Sequence, residues 1–201
     1  YNETLSTVFS KGVRNKIQET SADGRIVYND IFPHVRVKRG DGAANLWGIE
    51  GNDTNTYLAT SPTGTATGFG ADLMLIDDLN KNEYEARNDN VKEQHWKWFT
   101  DTMLSRREGK RKVIVVMTRW ASDDLAGRLI EALNRQGKKY RMICYKAFDG
   151  HSMLCEDILS RAQYEDILQG DTGKDIVEAN YNQSPIDITG RLYSQLQTYD
   201  E

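Results

Sequence analysis

The stretch Leu73–Asp78, with the sequence LMLIDD, decides the fold of this chain. Four consecutive large apolar residues are typical of a strand buried on both faces, the kind found inside a parallel sheet. Two carboxylates follow at the point where such a strand ends. Ligands of open α/β sheets bind outside the carboxyl ends of the strands, so the acid pair predicts a site at that edge of the sheet.

The acid pair has two interpretations. Adjacent side chains on an extended chain point to opposite sides, so one carboxylate can hold a metal ion while its neighbour handles a water. This is the Walker B arrangement of nucleotide triphosphatases, with Asp77 toward Mg²⁺ and Asp78 as the water-orienting base. The alternative is a turn that ends a core strand and caps the next segment. The hexapeptide alone does not choose between them.

Length and composition limit the class of protein. The chain has 201 residues, enough for one substantial α/β domain with its own core. Its net charge of −4 argues against a protein whose whole surface binds nucleic acid, so any contact with nucleic acid must be local. No apolar run approaches the ~18 residues of a membrane span, and no membrane partner is expected. The two cysteines form no redox or metal pattern, which suits a reducing cytoplasm.

Periodicity places helices and a hairpin around the central stretch. Residues 2–19 show the apolar spacing of an amphipathic helix, and residues 83–106 that of a long helical stretch. A polar loop at 51–55 joins two short β segments, across which Trp47 and Tyr57 are predicted to pair.

A second β-branched run predicts a neighbouring strand. Val113–Met117 again suits a central parallel strand, and it ends in Thr118 and Arg119. A hydroxyl and a guanidinium at that end would face the same crevice as the acid pair. Ser122 is predicted to cap the next helix. A further strand is predicted at residues 141–146.

The most basic segment of the chain, Arg106–Lys112, has five cations in seven residues around a glycine. Such a segment suits a loop that meets phosphate, and an ordinary solvated turn is equally compatible with it. Lys110, Arg111 and Lys112 are the candidate contacts to a DNA backbone.

No phosphate-binding loop of the form G-x-x-x-x-G-K-[ST] occurs in the sequence. The glycines Gly64, Gly68 and Gly70 lack the Lys-Ser/Thr ending and precede a strand instead of a helix. This is the largest gap in any interpretation that involves nucleotide hydrolysis.

Several phrases, taken in order, nevertheless point to one family. They are YNETLS (Tyr1–Ser6), VR (Val13-Arg14), TGFGAD (Thr67–Asp72), LIDD (Leu75–Asp78), SR (Ser105-Arg106), MTRW (Met117–Trp120), DDLAGRL (Asp123–Leu129), YNQSP (Tyr181–Pro185) and GRLY (Gly190–Tyr193). With them the chain resembles the large terminase subunit of tailed bacteriophages and prophages, an ATP-driven DNA-packaging motor joined to an endonuclease.

The resemblance implies a fold and a domain plan. The fold would be a three-layer α/β domain of the P-loop NTPase (ASCE) type, with a central, mostly parallel sheet that is incomplete at the N-terminus. Residues 1–184 would form the ATPase motor domain, and residues 185–201 a linker toward a nuclease domain. The phosphate-binding loop would lie upstream of Tyr1, so this chain alone is not expected to hydrolyse ATP.

The resemblance also implies roles for individual residues. Asp77 would be the Walker B carboxylate that binds Mg²⁺, and Asp78 the catalytic carboxylate that contacts the ATP site, where many relatives have Glu. Thr118 would link ATP hydrolysis to DNA movement. Arg119 would either sense phosphate or brace the acid pair. Arg106 would stabilise charge on the transferring phosphoryl group, in cis or from a neighbouring subunit.

The implied cofactors are ATP and Mg²⁺. The implied partners are double-stranded DNA, the portal protein, the small terminase subunit and further copies of the chain in a ring. The protein would act in the host cytoplasm and transiently on the procapsid portal. Two alternatives remain open: a metal-dependent nuclease that uses Asp77 and Asp78, and a non-catalytic module that binds DNA or portal.

Overall fold

The computed structural model of the chain describes residues 3–21, 23–40, 42–64, 66, 68–170 and 173–186, without the side chains of residues 106–111. The chain divides into two compact units, Tyr1–Gly70 and Ala71–Glu201. Of the expected linker at 185–201, residues 187–201 lie outside the described part.

The first unit contains two helices and a small hairpin. Helix α1 spans Glu3–Gln18 and α2 spans Tyr28–Ile31. Strands β1 (Leu46–Trp47) and β2 (Tyr57–Leu58) pair antiparallel. The predicted pairing of Trp47 with Tyr57 is confirmed, since their rings stack with centroids 4.8 Å apart and planes 8° from parallel.

A polar contact ties α1 to this hairpin. The Trp47 indole Nε1–H donates to Ser10 Oγ at 2.9 Å, and both residues are buried. The predicted helix is confirmed, but its apolar residues Leu5, Val8 and Phe9 are exposed. The buried position on α1 is therefore the serine that accepts the indole hydrogen bond.

The second unit is built on a parallel pair of strands. Strand β3 spans Ala71–Asp77 and β4 spans Arg107–Val116, in a register that runs from Met74 opposite Val113 to Asp77 opposite Val116. The predicted parallel neighbour of the central stretch is thus confirmed. The described part of the chain has mixed helix and sheet, and the three-layer P-loop fold stays a prediction.

Strand β4 begins further upstream than predicted and includes most of the basic segment. The predictions of a loop or turn at Arg106–Lys112 are wrong. The reason is pairing: Arg107 lies opposite Ala71 and Lys112 opposite Leu73, with a bulge between them. Within the basic segment these are the two residues that pair with β3, and Glu108–Arg111 lie in the bulge between them.

The long helical stretch between the strands is divided. Helix α3 spans Glu83–Arg87 and α4 spans Asp89–Lys97, followed by a π-helix at Trp98–Met103 and a 3₁₀ turn at Leu104–Arg106. Asn88 has an extended ψ of 115°, and its side chain accepts hydrogen bonds from the first turn of α4. The division arises because this asparagine caps a new helix instead of continuing the old one.

In the described residues after β4 there are three further α-helices. They are α5 (Leu125–Arg135), α6 (Arg161–Gln169) and α7 (Lys174–Ile176), the last continued by a π-helix at Val177–Tyr181. The strand predicted at 141–146 is absent, and Met142, Ile143 and Tyr145 are exposed. A strand needs a backbone to pair with, and the described residues provide none for this segment. None of the helices in the described ranges is long and apolar enough to span a membrane.

The helices cover one face of the parallel pair. Ile76 and Leu79 form a buried core with Phe99 and Leu125, against which Val113, Val115 and Met117 pack. The alternate residues lie on the other face, where Leu73 is 56% exposed, Leu75 62%, Ile114 48% and Val116 51%. The prediction that β3 is buried on both faces is therefore wrong for this chain.

Candidate functional site at the carboxyl end of the parallel sheet

The acid pair lies at the carboxyl end of β3. Asp77 is the last residue of the strand and pairs with Val116, the last residue of β4. The Asp78 N–H then donates to Val116 O at 2.9 Å, one step beyond the ladder. Both acids are exposed, whereas the next two residues, Leu79 and Asn80, are buried. The buried residues anchor the chain directly after the carboxylates.

Asp78 has an unusual backbone and an altered acidity. Its φ of +35° lies in the left-handed region, which few non-glycine residues adopt. Although the residue is exposed as a whole, nearby protein atoms shield part of the Asp78 carboxyl from water and raise its pKa, and the charge of Asp77 raises it further. A carboxylate with a raised pKa holds a proton more readily, which suits a base that accepts one from water.

Strand β4 brings Thr118 and Arg119 to the same edge of the sheet. Met117 packs against the core beneath the sheet, and the chain leaves the strand immediately afterwards. Thr118 and Arg119 are half-buried. The structure thus places both at the end of the sheet that holds Asp77 and Asp78, as the sequence predicted.

The Arg119 side chain binds the loop before α5. Its Nε donates to both carboxylate oxygens of Asp124, at 3.0 and 2.8 Å, and its second guanidinium nitrogen donates to the carbonyls of Ala121 and Ser122. Among the described contacts Arg119 braces this loop and not the acid pair. The phosphate-sensing role stays a prediction.

Asp124, and not Ser122, caps α5, so the predicted cap is corrected by two residues. The Asp124 side chain accepts from Gly127 N at 2.9 Å, and the residue is 1% exposed. Three residues in the run Ser122–Asp124 could serve as a cap. The ion pair with Arg119 fixes which of them does so.

Gly127 allows the loop before α5 to lie against that helix. A Cβ at this position would be 1.7 Å from Ser122 O and 3.0 Å from a guanidinium nitrogen of Arg119. The pattern of the phrase DDLAGRL offers no structural reason for a glycine. The reason is close approach of backbone to backbone.

Gln183 is a residue of the site that the sequence did not identify. Its Oε1 accepts from the Arg119 N–H at 3.2 Å, across 64 positions of sequence. Gln183 belongs to the YNQSP phrase, but nothing in a single sequence shows that its side chain reaches the end of β4.

A second charged cluster lies beside α5. The Lys92 ammonium contacts both carboxylate oxygens of Asp123, at 2.7 and 2.8 Å, and Asp89 at 2.8 Å. Burial acts to lower the pKa of Lys92, but hydrogen bonds to the two aspartates outweigh it and raise that pKa. Arg128 extends the cluster to Glu93 at 2.8 Å. These pairs join α4 to the start of α5.

Arg106 and the basic segment lie toward the other end of the sheet. Arg106 ends the 3₁₀ turn before β4, and Arg107 pairs with Ala71. Ala71 and Asp77 are six residue steps apart along β3, roughly 20 Å at the usual rise per residue. The side chains of Arg106, Lys110 and Arg111 are outside the described part, and Lys112 is exposed.

The donor set at the acid pair fits Mg²⁺ bound to a nucleotide. Mg²⁺ in such sites takes one or two carboxylates from the protein and fills its remaining positions with water and phosphate oxygens. Asp77, exposed at the strand end, provides one such carboxylate. Within the described residues, no three His, Cys, Asp or Glu side chains are grouped to hold a metal by themselves.

The chain matches no known protein-family description. It also has no significant match among curated proteins.

Proposed function

We propose that this chain is part of a DNA-packaging motor ATPase, the large terminase subunit of a tailed phage or prophage, which hydrolyses ATP to move viral DNA into a procapsid. The observation that supports this best is the pairing of β3 with β4. It brings an Asp-Asp pair and a Thr-Arg pair to the same edge of a parallel sheet, bonded through Asp78 N–H and Val116 O. Open α/β sheets bind nucleotides at that edge.

Each residue then has a role that its surroundings permit. Asp77 would hold Mg²⁺, which neutralises charge on the phosphates of bound ATP. Asp78, whose pKa is raised, would orient the attacking water and accept its proton. Thr118, at the end of β4, would couple the state of the bound nucleotide to the position of the loop held by Arg119 and Asp124.

The proposal requires a phosphate-binding loop from outside these 201 residues, because the sequence contains no G-x-x-x-x-G-K-[ST]. Double-stranded DNA, the portal, the small terminase subunit and neighbouring copies in a ring are the partners that go with this function. Arg106 is proposed to act on the ATP of a neighbouring copy, since it lies toward the opposite end of the sheet from Asp77.

Substitution of Asp77 in the full-length protein tests the function against its rivals. For Asp77→Ala, loss of ATP hydrolysis with DNA cleavage retained supports the motor. Loss of cleavage with hydrolysis retained would favour a metal-dependent nuclease instead. No change in either activity, with DNA or portal binding intact, would favour a non-catalytic module. Asp72→Ala is the matched control, because Asp72 is an exposed aspartate near the other end of β3.

A further inference from the structure

Thr118 and Arg119 lie beyond the last ladder pair of the sheet. The register of β3 and β4 ends with Asp77 opposite Val116, and the Asp78 N–H takes the Val116 carbonyl. The peptide that joins Thr118 to Arg119 therefore depends on other contacts for its position. The Arg119 side chain is held by Asp124, but a long side chain leaves its own backbone some freedom.

Gln183 supplies the contact to the Arg119 N–H, while the next N–H, that of Trp120, donates to Asp124 Oδ2 at 3.4 Å. The Oε1 of Gln183 accepts the Arg119 N–H at 3.2 Å, and its Nε2 donates to Asn180 O at 2.5 Å. The two neighbours fix the orientation of the amide, because one is a donor and the other an acceptor. A carboxylate or an apolar side chain of the same length could not satisfy both groups.

The backbone of Gln183 is held in place from several sides. Its φ of +55° is left-handed, two residues after the end of the π-helix at Tyr181. The Ser184 N–H donates to Glu178 O at 2.7 Å, which closes the turn around it. The preceding Asn182 side chain accepts from the Tyr164 hydroxyl at 3.0 Å and so joins this turn to α6.

We propose that Gln183 is a positioning residue that fixes the Thr118–Arg119 peptide at the carboxyl end of β4 and ties it to the chain that leaves at Ser184. Loss of this contact then disturbs the edge of the sheet at which Thr118 and Arg119 lie. The effect on ATP hydrolysis rests on the proposed function, whereas the fixing of the peptide does not.

Amide hydrogen exchange in the full-length protein tests the first half directly. Gln183→Met keeps the length of the side chain and removes both hydrogen bonds. We expect exchange of the Arg119 amide to accelerate about tenfold, the size of one lost net hydrogen bond. The Asp78 amide, bonded to Val116 O, is expected to keep its rate. Gln136→Met, an exposed glutamine at the end of α5, is the matched control. An unchanged Arg119 amide in Gln183→Met would overturn the proposal.

ATP hydrolysis by the same variants tests the second half. We expect Gln183→Met to lower kcat with KM unchanged, because the Gln183 side chain bonds to the protein backbone at Arg119 and Asn180. Faster Arg119 exchange with an unaltered kcat would overturn the link to the site. If the wild-type protein itself hydrolyses no ATP, the motor function fails, while faster Arg119 exchange would still support the positioning role.

Discussion

The Arg119 guanidinium is bound to the carboxylate of Asp124, with Nε 3.0 Å from one oxygen and 2.8 Å from the other. Asp124 is 1% exposed and the Arg119 side chain 15%. The pair joins the end of β4 to the start of α5. The Asp124 carboxylate therefore both caps the helix and holds the loop before it.

Removal of the carboxylate is expected to destabilise the protein strongly. Asp124→Ala leaves the Arg119 charge buried without its partner and removes the cap, so we expect the free energy of unfolding to fall by about 3 kcal/mol or more. Urea denaturation measures this. Glu131→Ala, at an exposed position on α5, should change it by no more than about 0.5 kcal/mol. A loss below about 1 kcal/mol for Asp124→Ala would show that the pair contributes little.

A methyl group at Gly127 is expected to disrupt the same loop. Its Cβ would lie 1.7 Å from Ser122 O, a backbone atom that cannot rotate away. We expect Gly127→Ala to cost about 3 kcal/mol or more in the free energy of unfolding, measured by urea denaturation.

The control for this change is Gly12→Ala in α1, where a Cβ meets nothing within 4 Å. An alanine there should stabilise the helix by about 0.5–1 kcal/mol. Similar effects at both glycines would argue against the close approach of the loop to α5.

The acidity of Asp78 predicts a specific dependence of stability on pH. Because the pKa of Asp78 is raised in the folded protein, the folded state binds this proton more tightly than the unfolded chain does. The resulting stabilisation is full below the unfolded value of about 3.9 and is lost as the pH rises through the raised pKa. The wild type should therefore lose stability relative to Asp78→Asn across that window.

Urea denaturation over a series of pH values measures the difference. In an Asp77→Asn background the charge of the neighbour is gone, so the same comparison should show a smaller change. If the wild type instead gains stability relative to Asp78→Asn as the pH rises, the pKa of Asp78 is lowered in the folded protein. That result would contradict the prediction.

The basic segment predicts a salt-dependent contact with DNA. If Lys110, Arg111 and Lys112 neutralise phosphates, their replacement by alanine weakens DNA binding most at low salt. The slope of log affinity against log salt should become shallower by roughly 2 to 3. Lys138, Lys139 and Arg141, which are exposed, provide a control triple of equal charge. If both triple variants show the same salt slope, Lys110, Arg111 and Lys112 make no specific contact with DNA.

The spacing of residues along the sequence was sufficient to predict the elements that depend on neighbouring residues or on the pairing of two strands. The parallel pair β3 and β4, the helix α1 and the stacking of Trp47 on Tyr57 were all predicted correctly. In each case the spacing of apolar or aromatic residues determines the element.

The wrong predictions concern positions where a residue distant in sequence determines the local structure. The predicted cap at Ser122 is wrong because Arg119 selects Asp124 from three suitable residues. The basic segment belongs to β4 because Arg107 and Lys112, on either side of a bulge, pair with β3, whereas residues 141–146 have strand-like composition but no described partner. Gln183 was missed because its contact to Arg119 spans 64 positions.

The most direct test of the proposed motor is the rate of Mg²⁺-dependent ATP hydrolysis by the full-length protein with Asp77 replaced by Asn. The change keeps the shape of the side chain and removes the charge that would hold Mg²⁺. We expect kcat to fall by at least about 100-fold, while Asp72→Asn leaves it within a factor of about two. Hydrolysis at the wild-type rate in Asp77→Asn would contradict the assignment of Asp77 and Asp78 to an ATPase site.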